Sequence, residues 1–200
     1  MVVDPTYALR DVYDGRPHAV LIGDESIVLG AVARRYRDEP PTHRPLLMHA
    51  YLPGTPHHRG DFEALGLPAP APILPLLRRR GLYEHRPGRP YPTSGVFLAM
   101  VAAALDKPTC VAGIDLYRHP SGRMYVHRKL EEGHVIWPNK HSEAVDIEHL
   151  RLVVARLGPR LECVGVAAEV VAPSARYFNG GSASPSSGYG GNSSAGAAST

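Results

Sequence analysis

The sequence contains little cysteine, with two in 200 residues, and no Cys-x-x-Cys pair or other paired metal-ligand spacing. A structural zinc site is therefore not expected, and no metal ion is predicted as a cofactor. Cys110 and Cys163 lie in apolar runs that are typical of strands. This placement predicts two free, buried thiols in a reducing compartment rather than a disulfide.

Long hydrophobic runs and an excess of one charge are also absent. No apolar run approaches the roughly 20 residues of a membrane span, and residues 1–15 lack the basic start and apolar core of a signal peptide. The 22 basic and 19 acidic residues give a net charge of +3, which does not favour a nucleic-acid partner. We expect a cytoplasmic chain, with peripheral membrane association and oligomeric state left open.

Short apolar runs alternate with helical patterns along the chain. Four strands are predicted at residues 19–22, 46–50, 109–114 and 161–166. Helices are predicted between them at residues 26–37, 73–80, 95–105 and from Ser142 to Gly158. Because strand and helix alternate, the pattern predicts an α/β fold, with a Rossmann-like parallel sheet flanked by helices. The run at 109–114 lacks polar alternation, which predicts burial on both faces.

The C-terminal composition separates the chain into two parts. Residues 179–200 hold six glycines, seven serines and no charged residue, so they are predicted to be a disordered tail. Residues 1–178 are predicted to form one domain. Within it, the polar stretch 118–140 is a candidate lid, although its basic residues are also compatible with an ordinary solvated loop.

Two element boundaries carry candidate binding residues. Ser94 is predicted to be the N-cap of the helix at 95–105, whose free backbone N–H groups suit an anionic ligand. Asp115 follows the strand at 109–114, at the end where open α/β sheets bind ligands. Both residues also have plain structural interpretations, as a helix cap and as a turn cap.

Three motifs in order resemble one known family. They are Thr-Ser-Gly-Val-Phe at 93–97, Ala-Gly-Ile-Asp-Leu-Tyr at 112–117, and His141-Ser142 with Asp146 five residues after the histidine. Together they resemble the bacterial sialyltransferases of glycosyltransferase family 42, of the alpha-2,3 type, over about residues 90–166. The resemblance implies transfer of sialic acid from CMP-sialic acid to a glycan hydroxyl with inversion, without a metal or other cofactor, in lipooligosaccharide biosynthesis.

The resemblance also implies roles for individual residues. His141 would be the general base, and Tyr117 and Tyr125 would assist departure of the CMP phosphate. These roles agree with the chemistry, because histidine is suited to accept a proton near neutral pH and tyrosine hydroxyls can stabilise a leaving phosphate. Substrate binding would fall to a further group: Thr93, Ser94, Gly95, Asp115 and Ser142.

The start of the chain differs from that family. The family begins with a strand and a Gly-Asn-Gly-Pro-Ser-like loop that holds the cytidine nucleotide, and neither is found in this sequence. We therefore expect an N-terminally truncated domain that is missing its first nucleotide-binding strand. A non-catalytic remnant of such an enzyme is the first alternative function.

A second alternative belongs to another class of enzyme. Gly23-Asp24-Glu25-Ser26 after a strand, with Asp146 and His149 near the C-terminus, resembles the pattern of Gly-Asp-Ser-type esterases. An esterase would need Ser26 close to His149. A transferase would need Ser94, Tyr117 and His141 to line one cleft.

Overall fold

The computed structural model describes residues 1–3, 7–8, 10, 13–23, 26–52, 59–114, 116 and 141–176. The candidate lid at 118–140 and the predicted tail at 179–200 lie outside these residues. The described part is a mixed α/β structure, in which short parallel strands form two small open sheets flanked by helices. The predicted α/β class is therefore confirmed.

The first sheet contains four parallel strands in the order β1-β2-β3-β4. These are β1 (Val2–Val3), β2 (Ala19–Ile22), β3 (Leu46–His49) and β4 (Ala71–Pro72). All four residues of β2 are buried, as its uninterrupted apolar run predicts for a central parallel strand. Helices α1 (Ser26–Asp38) and α2 (Arg59–Ala64) follow β2 and β3 in the chain.

The second sheet consists of two parallel strands, β5 (Thr109–Val111) and β6 (Leu161–Cys163). Helices α3 (Leu74–Arg79) and α4 (Ser94–Ala104) precede β5, while α5 (Glu143–Leu157) precedes β6 and α6 (Val166–Arg176) follows it. Every residue of α4 from Val96 to Ala104 is buried. A helix that is apolar on all sides can only be stable inside a core, and α4 packs against α3, α5, β1 and β5.

One large apolar cluster joins the two sheets around α4. Leu21 and Met48 of the first sheet belong to it, together with Met100 of α4 and Leu150 of α5. A smaller cluster packs α1 against the other face of the first sheet, with Val20, Leu29, Val32, Leu47 and Phe62 among its members. The alternation of Val20 and Leu21 between the two clusters follows from the period of two along a strand.

A buried arginine holds the segment that precedes β2. The guanidinium of Arg35, 3 % exposed, donates to the backbone carbonyls of Tyr7, Tyr13 and Gly15. Its Nε lies 3.5 Å from the carboxylate of Glu39, one helical turn later. Because the charge is buried with a partner and with carbonyl acceptors, it fixes the path of this segment across α1.

The strand at residues 109–114 is shorter and less buried than predicted. It ends at Val111, and only Val111 is buried, while Thr109 is half-buried and Cys110 is exposed. Successive side chains of a strand point to opposite faces, so the exposed Cys110 shows that the face opposite Val111 is not covered. The prediction of burial on both faces was therefore wrong.

Both cysteines are free thiols, and of the two only Cys163 is partly buried. Cys110 is exposed, which contradicts the prediction of a buried thiol, and Cys163 is half-buried. Burial raises the pKa of the Cys163 thiol. In the β5–β6 register Cys163 lies opposite Val111, so the two cysteines occupy opposite faces of the sheet.

Other element boundaries also differ from the prediction. The strand predicted at 161–166 ends at Cys163, because Gly165 turns the chain with φ +76° and Val166 begins α6. Strands β1 and β4 and helices α2 and α6 were not predicted. No helix of the described residues is both long enough and apolar enough to cross a membrane.

Candidate functional site

The candidate site is built where the N-terminal ends of α4 and α5 meet. Helix α4 begins after Thr93, whose extended backbone makes it the N-cap, and Ser94 is the first helical residue. The predicted N-cap at Ser94 was therefore one residue late. Helix α5 begins after Ser142, whose hydroxyl accepts from the Val145 N–H at 3.3 Å, as predicted for the start of that helix.

A buried carboxylate joins the two helix starts. Asp146, in the first turn of α5, is 1 % exposed. Its Oδ1 accepts the backbone N–H of Thr93 at 2.8 Å, and its Oδ2 accepts the Thr93 hydroxyl at 2.9 Å. Both carboxylate oxygens are thus used by one residue, whose hydroxyl makes no capping hydrogen bond to its own helix.

Burial controls the acidity of this carboxyl group. Removal from water raises the pKa of Asp146, because the charged form is the one that loses hydration. The two hydrogen bonds from Thr93, and the nearby His141 and His149, act in the opposite direction. The net pKa remains above the ordinary aspartate range, so burial outweighs the partners.

His141 is held by the backbone just before α4. Its Nδ1 lies 2.9 Å from the carbonyl oxygen of Tyr91, and its ring packs edge-on against the Tyr91 ring at 4.6 Å between centroids. A carbonyl oxygen can only accept, so Nδ1 must carry the proton in this hydrogen bond. In the neutral ring, Nε2 is then the unprotonated nitrogen, which is the form a general base requires.

The first turn of α4 supplies backbone donors beside this histidine. The first backbone bond of the helix runs from the Phe97 N–H to the Thr93 carbonyl, so the N–H groups of residues 94–96 have no partner within the helix. Gly95 leaves this turn uncovered, and a methyl group added there would contact Ile114 at an ordinary 3.4 Å. These donors and the helix dipole favour an anionic group.

The structure therefore brings five of the predicted site residues to one end of the α4–α5 pair: Thr93, Ser94, Gly95, His141 and Ser142. The other three, Asp115, Tyr117 and Tyr125, lie outside the described residues. Leu116, which follows Asp115 in the sequence, is buried and has a left-handed backbone with φ +51°.

A second layer of aromatic residues lies behind the site. Tyr83 packs edge-on against Phe97, with centroids 5.1 Å apart, and contacts the ring of His149 at 5.5 Å. Its hydroxyl lies 3.4 Å from Nδ1 of His85. Burial raises the pKa of Tyr83 to about 12. The sequence analysis missed Tyr83, and it also missed Tyr91, although an aromatic and a proline just before a helix start were visible signals.

Asp146 and His149 of the esterase hypothesis make separate contacts. Nδ1 of His149 lies 2.8 Å from the Val145 carbonyl within its own helix. The Asp146 carboxylate is bonded to Thr93, and no hydrogen bond between Asp146 and His149 is found in the described part of the chain. The Asp-His geometry that orients a catalytic base in hydrolases is thus replaced by a link between two helices.

Among the residues that the structure describes, no group of three or more His, Cys, Asp or Glu side chains could hold a metal ion. Searches of protein-family models, curated proteins and solved structures find no match to this chain.

Proposed function

We propose that this chain is a glycosyltransferase that transfers sialic acid from CMP-sialic acid to a glycan hydroxyl with inversion. His141 is the general base of this proposal, and the two parallel sheets are parts of a Rossmann-like arrangement. The observation that carries the proposal is the hydrogen bond of His141 Nδ1 to the Tyr91 carbonyl, just before α4, which leaves Nε2 as the basic nitrogen.

The proposed step is a single displacement. Nε2 of His141 takes the proton of the acceptor hydroxyl, and the acceptor oxygen forms a bond to the anomeric carbon of the sugar. The bond from that carbon to the phosphate oxygen breaks, and CMP leaves with the electron pair. The N–H groups in the first turn of α4, which have no partner within the helix, support a negatively charged portion of the donor, in agreement with the proposed roles of Ser94 and Gly95.

Other residues enter the proposal with less support from the geometry. Ser142 already uses its hydroxyl oxygen as the cap of α5, which leaves its O–H as a donor towards substrate. Tyr117 and Tyr125 are proposed to assist departure of CMP, and Asp115 to contact the donor, from the sequence resemblance alone.

The first test measures CMP binding by calorimetry and sialic acid transfer to a lactose acceptor. His141→Asn keeps a side-chain N–H for the Tyr91 carbonyl but removes Nε2. This variant should bind CMP like the wild type and lose transfer by at least about 100-fold, as expected for loss of a general base. The matched control is His149→Asn, because His149 also bonds a backbone carbonyl through Nδ1 and lies in α5, the helix that follows His141.

A second variant tests the donor site separately. Gly95→Ala should fold normally, since the added methyl meets Ile114 only at 3.4 Å. If the donor lies against the first turn of α4, the same methyl should weaken CMP binding by about tenfold or more, as a lost close approach would require. Gly30→Ala, in α1 and far along the chain, is the control for a helical glycine.

The alternatives give different results in the same assays. A non-catalytic remnant would show neither transfer nor CMP binding in the wild-type chain. An esterase would hydrolyse p-nitrophenyl acetate in a manner abolished by Ser26→Ala and His149→Asn but not by His141→Asn. Full transfer activity in His141→Asn would exclude the proposed mechanism.

A further inference from the structure

We propose that Asp146 is a positioning residue, which holds His141 in place through Thr93 and the segment Tyr91-Pro92-Thr93. This inference rests on the proposed function in taking His141 as the base. It concerns only how the ring is held, so it can be tested without any sugar substrate.

The geometry is a clamp with two points of contact. One end of the segment 91–93 receives the His141 ring at the Tyr91 carbonyl, 2.9 Å from Nδ1. The other end is bonded twice by Asp146, at 2.8 and 2.9 Å. His141 and Asp146 belong to the same short stretch at the start of α5, so the two segments are tied together at both ends.

The middle of the clamped segment is stiff. Pro92 is buried and its ring fixes its own φ angle, so ψ of Pro92 is the one backbone rotation left between the peptide of the Tyr91 carbonyl and that of the Thr93 N–H. A displacement of Thr93 is therefore passed to the Tyr91 carbonyl. That carbonyl determines both the orientation of the His141 ring and the nitrogen that carries its proton.

Packing of α4 against α5 does not by itself require a carboxylate at position 146. Helices α4 and α5 already share an apolar interface that includes Met100, Leu150 and Val153. An apolar side chain at position 146 could extend that interface without the cost of burying a charge. A carboxylate can do what an apolar group cannot, which is to accept two directed hydrogen bonds from one residue and so fix its position.

The charged and titratable groups around Asp146 are consistent with this assignment. His149 lies near it in α5, His141 lies near it just before the Ser142 cap of that helix, and Thr93 contacts it from the start of α4. Thr93 is the residue that directly hydrogen-bonds the carboxylate among the described residues. Removing the Thr93 hydroxyl is therefore the smallest change that weakens the clamp while leaving both helices intact.

The test follows the imidazole of His141 by ¹⁵N NMR in the full chain at a pH where the ring is neutral. In the wild type, the spectrum should show one tautomer with the proton on Nδ1. Thr93→Val, which replaces the hydroxyl by a methyl of similar size, should shift His141 towards a mixture of tautomers or broaden its signals. Thr93→Ser, which restores the hydroxyl, should recover the wild-type spectrum.

Thr109→Val is the matched control, since Thr109 also donates its hydroxyl, to the Lys107 carbonyl at 2.7 Å, but lies on β5. An unchanged His141 spectrum in a folded Thr93→Val variant would overturn the proposal. A wild-type His141 without a proton on Nδ1, or a rapidly exchanging Thr93 amide, would overturn it even if Thr93→Val failed to fold. Absence of CMP binding, by contrast, would count against the proposed function and leave the NMR result standing.

Discussion

The carboxylate of Asp146 accepts both the backbone N–H and the hydroxyl of Thr93, a residue 53 positions earlier in the chain. This pair of bonds joins the starts of the two helices that carry the candidate site. Because Asp146 is buried in the folded chain, its carboxyl group has a different pKa in the folded and unfolded states.

Asp146 should make the folded chain lose stability as pH rises through the acid range. Burial raises its pKa in the folded state above the unfolded value of about 3.9, so folding favours the protonated form. The stabilisation that protonated Asp146 contributes is fully present below the unfolded pKa and is lost as pH rises through the folded pKa. Asp146→Asn removes this titration, so its stability relative to the wild type should increase with pH across that window.

Urea denaturation of both chains between pH 3 and pH 7 measures the effect. Asp106→Asn is the control, because Asp106 is an exposed acid paired with Arg156, and its pKa is lowered by that hydrogen bond. The stability of Asp106→Asn relative to the wild type should therefore decrease as pH rises. Asp146→Ala leaves the Thr93 donors without an acceptor and should be about 2 kcal/mol less stable than Asp146→Asn at every pH, since neither variant titrates at this position. A pH-independent difference between Asp146→Asn and the wild type would contradict the assignment.

Ser142 should contribute to stability as a helix cap whatever its role towards substrate. Its hydroxyl accepts the Val145 N–H, so Ser142→Ala should destabilise the chain by about 1 kcal/mol, and Ser142→Asp should restore the loss. Ser94→Ala is the matched control, since Ser94 is inside α4 and not at its cap. Equal melting temperatures for the Ser142→Ala and Ser94→Ala variants would show that the hydrogen bond from Val145 to Ser142 does not stabilise the chain.

The helices and central strands were predictable because their signals are local. Helix α5 follows from an N-cap at Ser142, apolar residues at helical spacing and Gly158 at its end, and the structure agrees with each feature. Strand β2 follows from an unbroken apolar run. Strands β1 and β4 have two residues each, so they depend on pairing with neighbours that sequence patterns do not reveal.

The site was predictable in its residues more than in its contacts. The sequence placed Thr93 and His141 at helix starts, and the structure brings both starts together. The bond from Asp146 to Thr93 could not be read from the sequence, because it depends on how α4 packs against α5. The same holds for Cys110, whose exposure follows from the narrow second sheet and not from its apolar neighbours.

Arg35 should be among the residues most costly to replace. Arg35→Met leaves the carboxylate of Glu39 partly buried without its charge partner and three carbonyls without their donor. We expect a loss of about 3–5 kcal/mol in the free energy of unfolding, typical of breaking a buried pair from one side. Arg35→Lys should recover only part of it, since an ammonium group cannot reproduce the guanidinium fork.

The neighbouring Arg34 provides the control for Arg35. It is exposed on the same helix, so Arg34→Met should change stability by less than about 0.5 kcal/mol. Urea denaturation curves for the three variants give the comparison directly. Similar curves for Arg35→Met and Arg34→Met would mean that the contacts of Arg35 with Tyr7, Tyr13 and Gly15 do not hold the segment before β2.

Two glycines should respond in opposite directions to the same substitution. Gly30 lies inside α1, where an added Cβ meets nothing nearer than Arg34 Nη1 at 3.9 Å, so Gly30→Ala should stabilise the chain by about 0.5–1 kcal/mol. Gly158 ends α5 with φ +54° and ψ −126°, a backbone conformation that residues with a Cβ atom rarely adopt. Gly158→Ala should therefore cost about 1–3 kcal/mol through backbone strain. Thermal unfolding of both variants decides the matter: a stabilised Gly158→Ala would mean that α5 does not end at this residue.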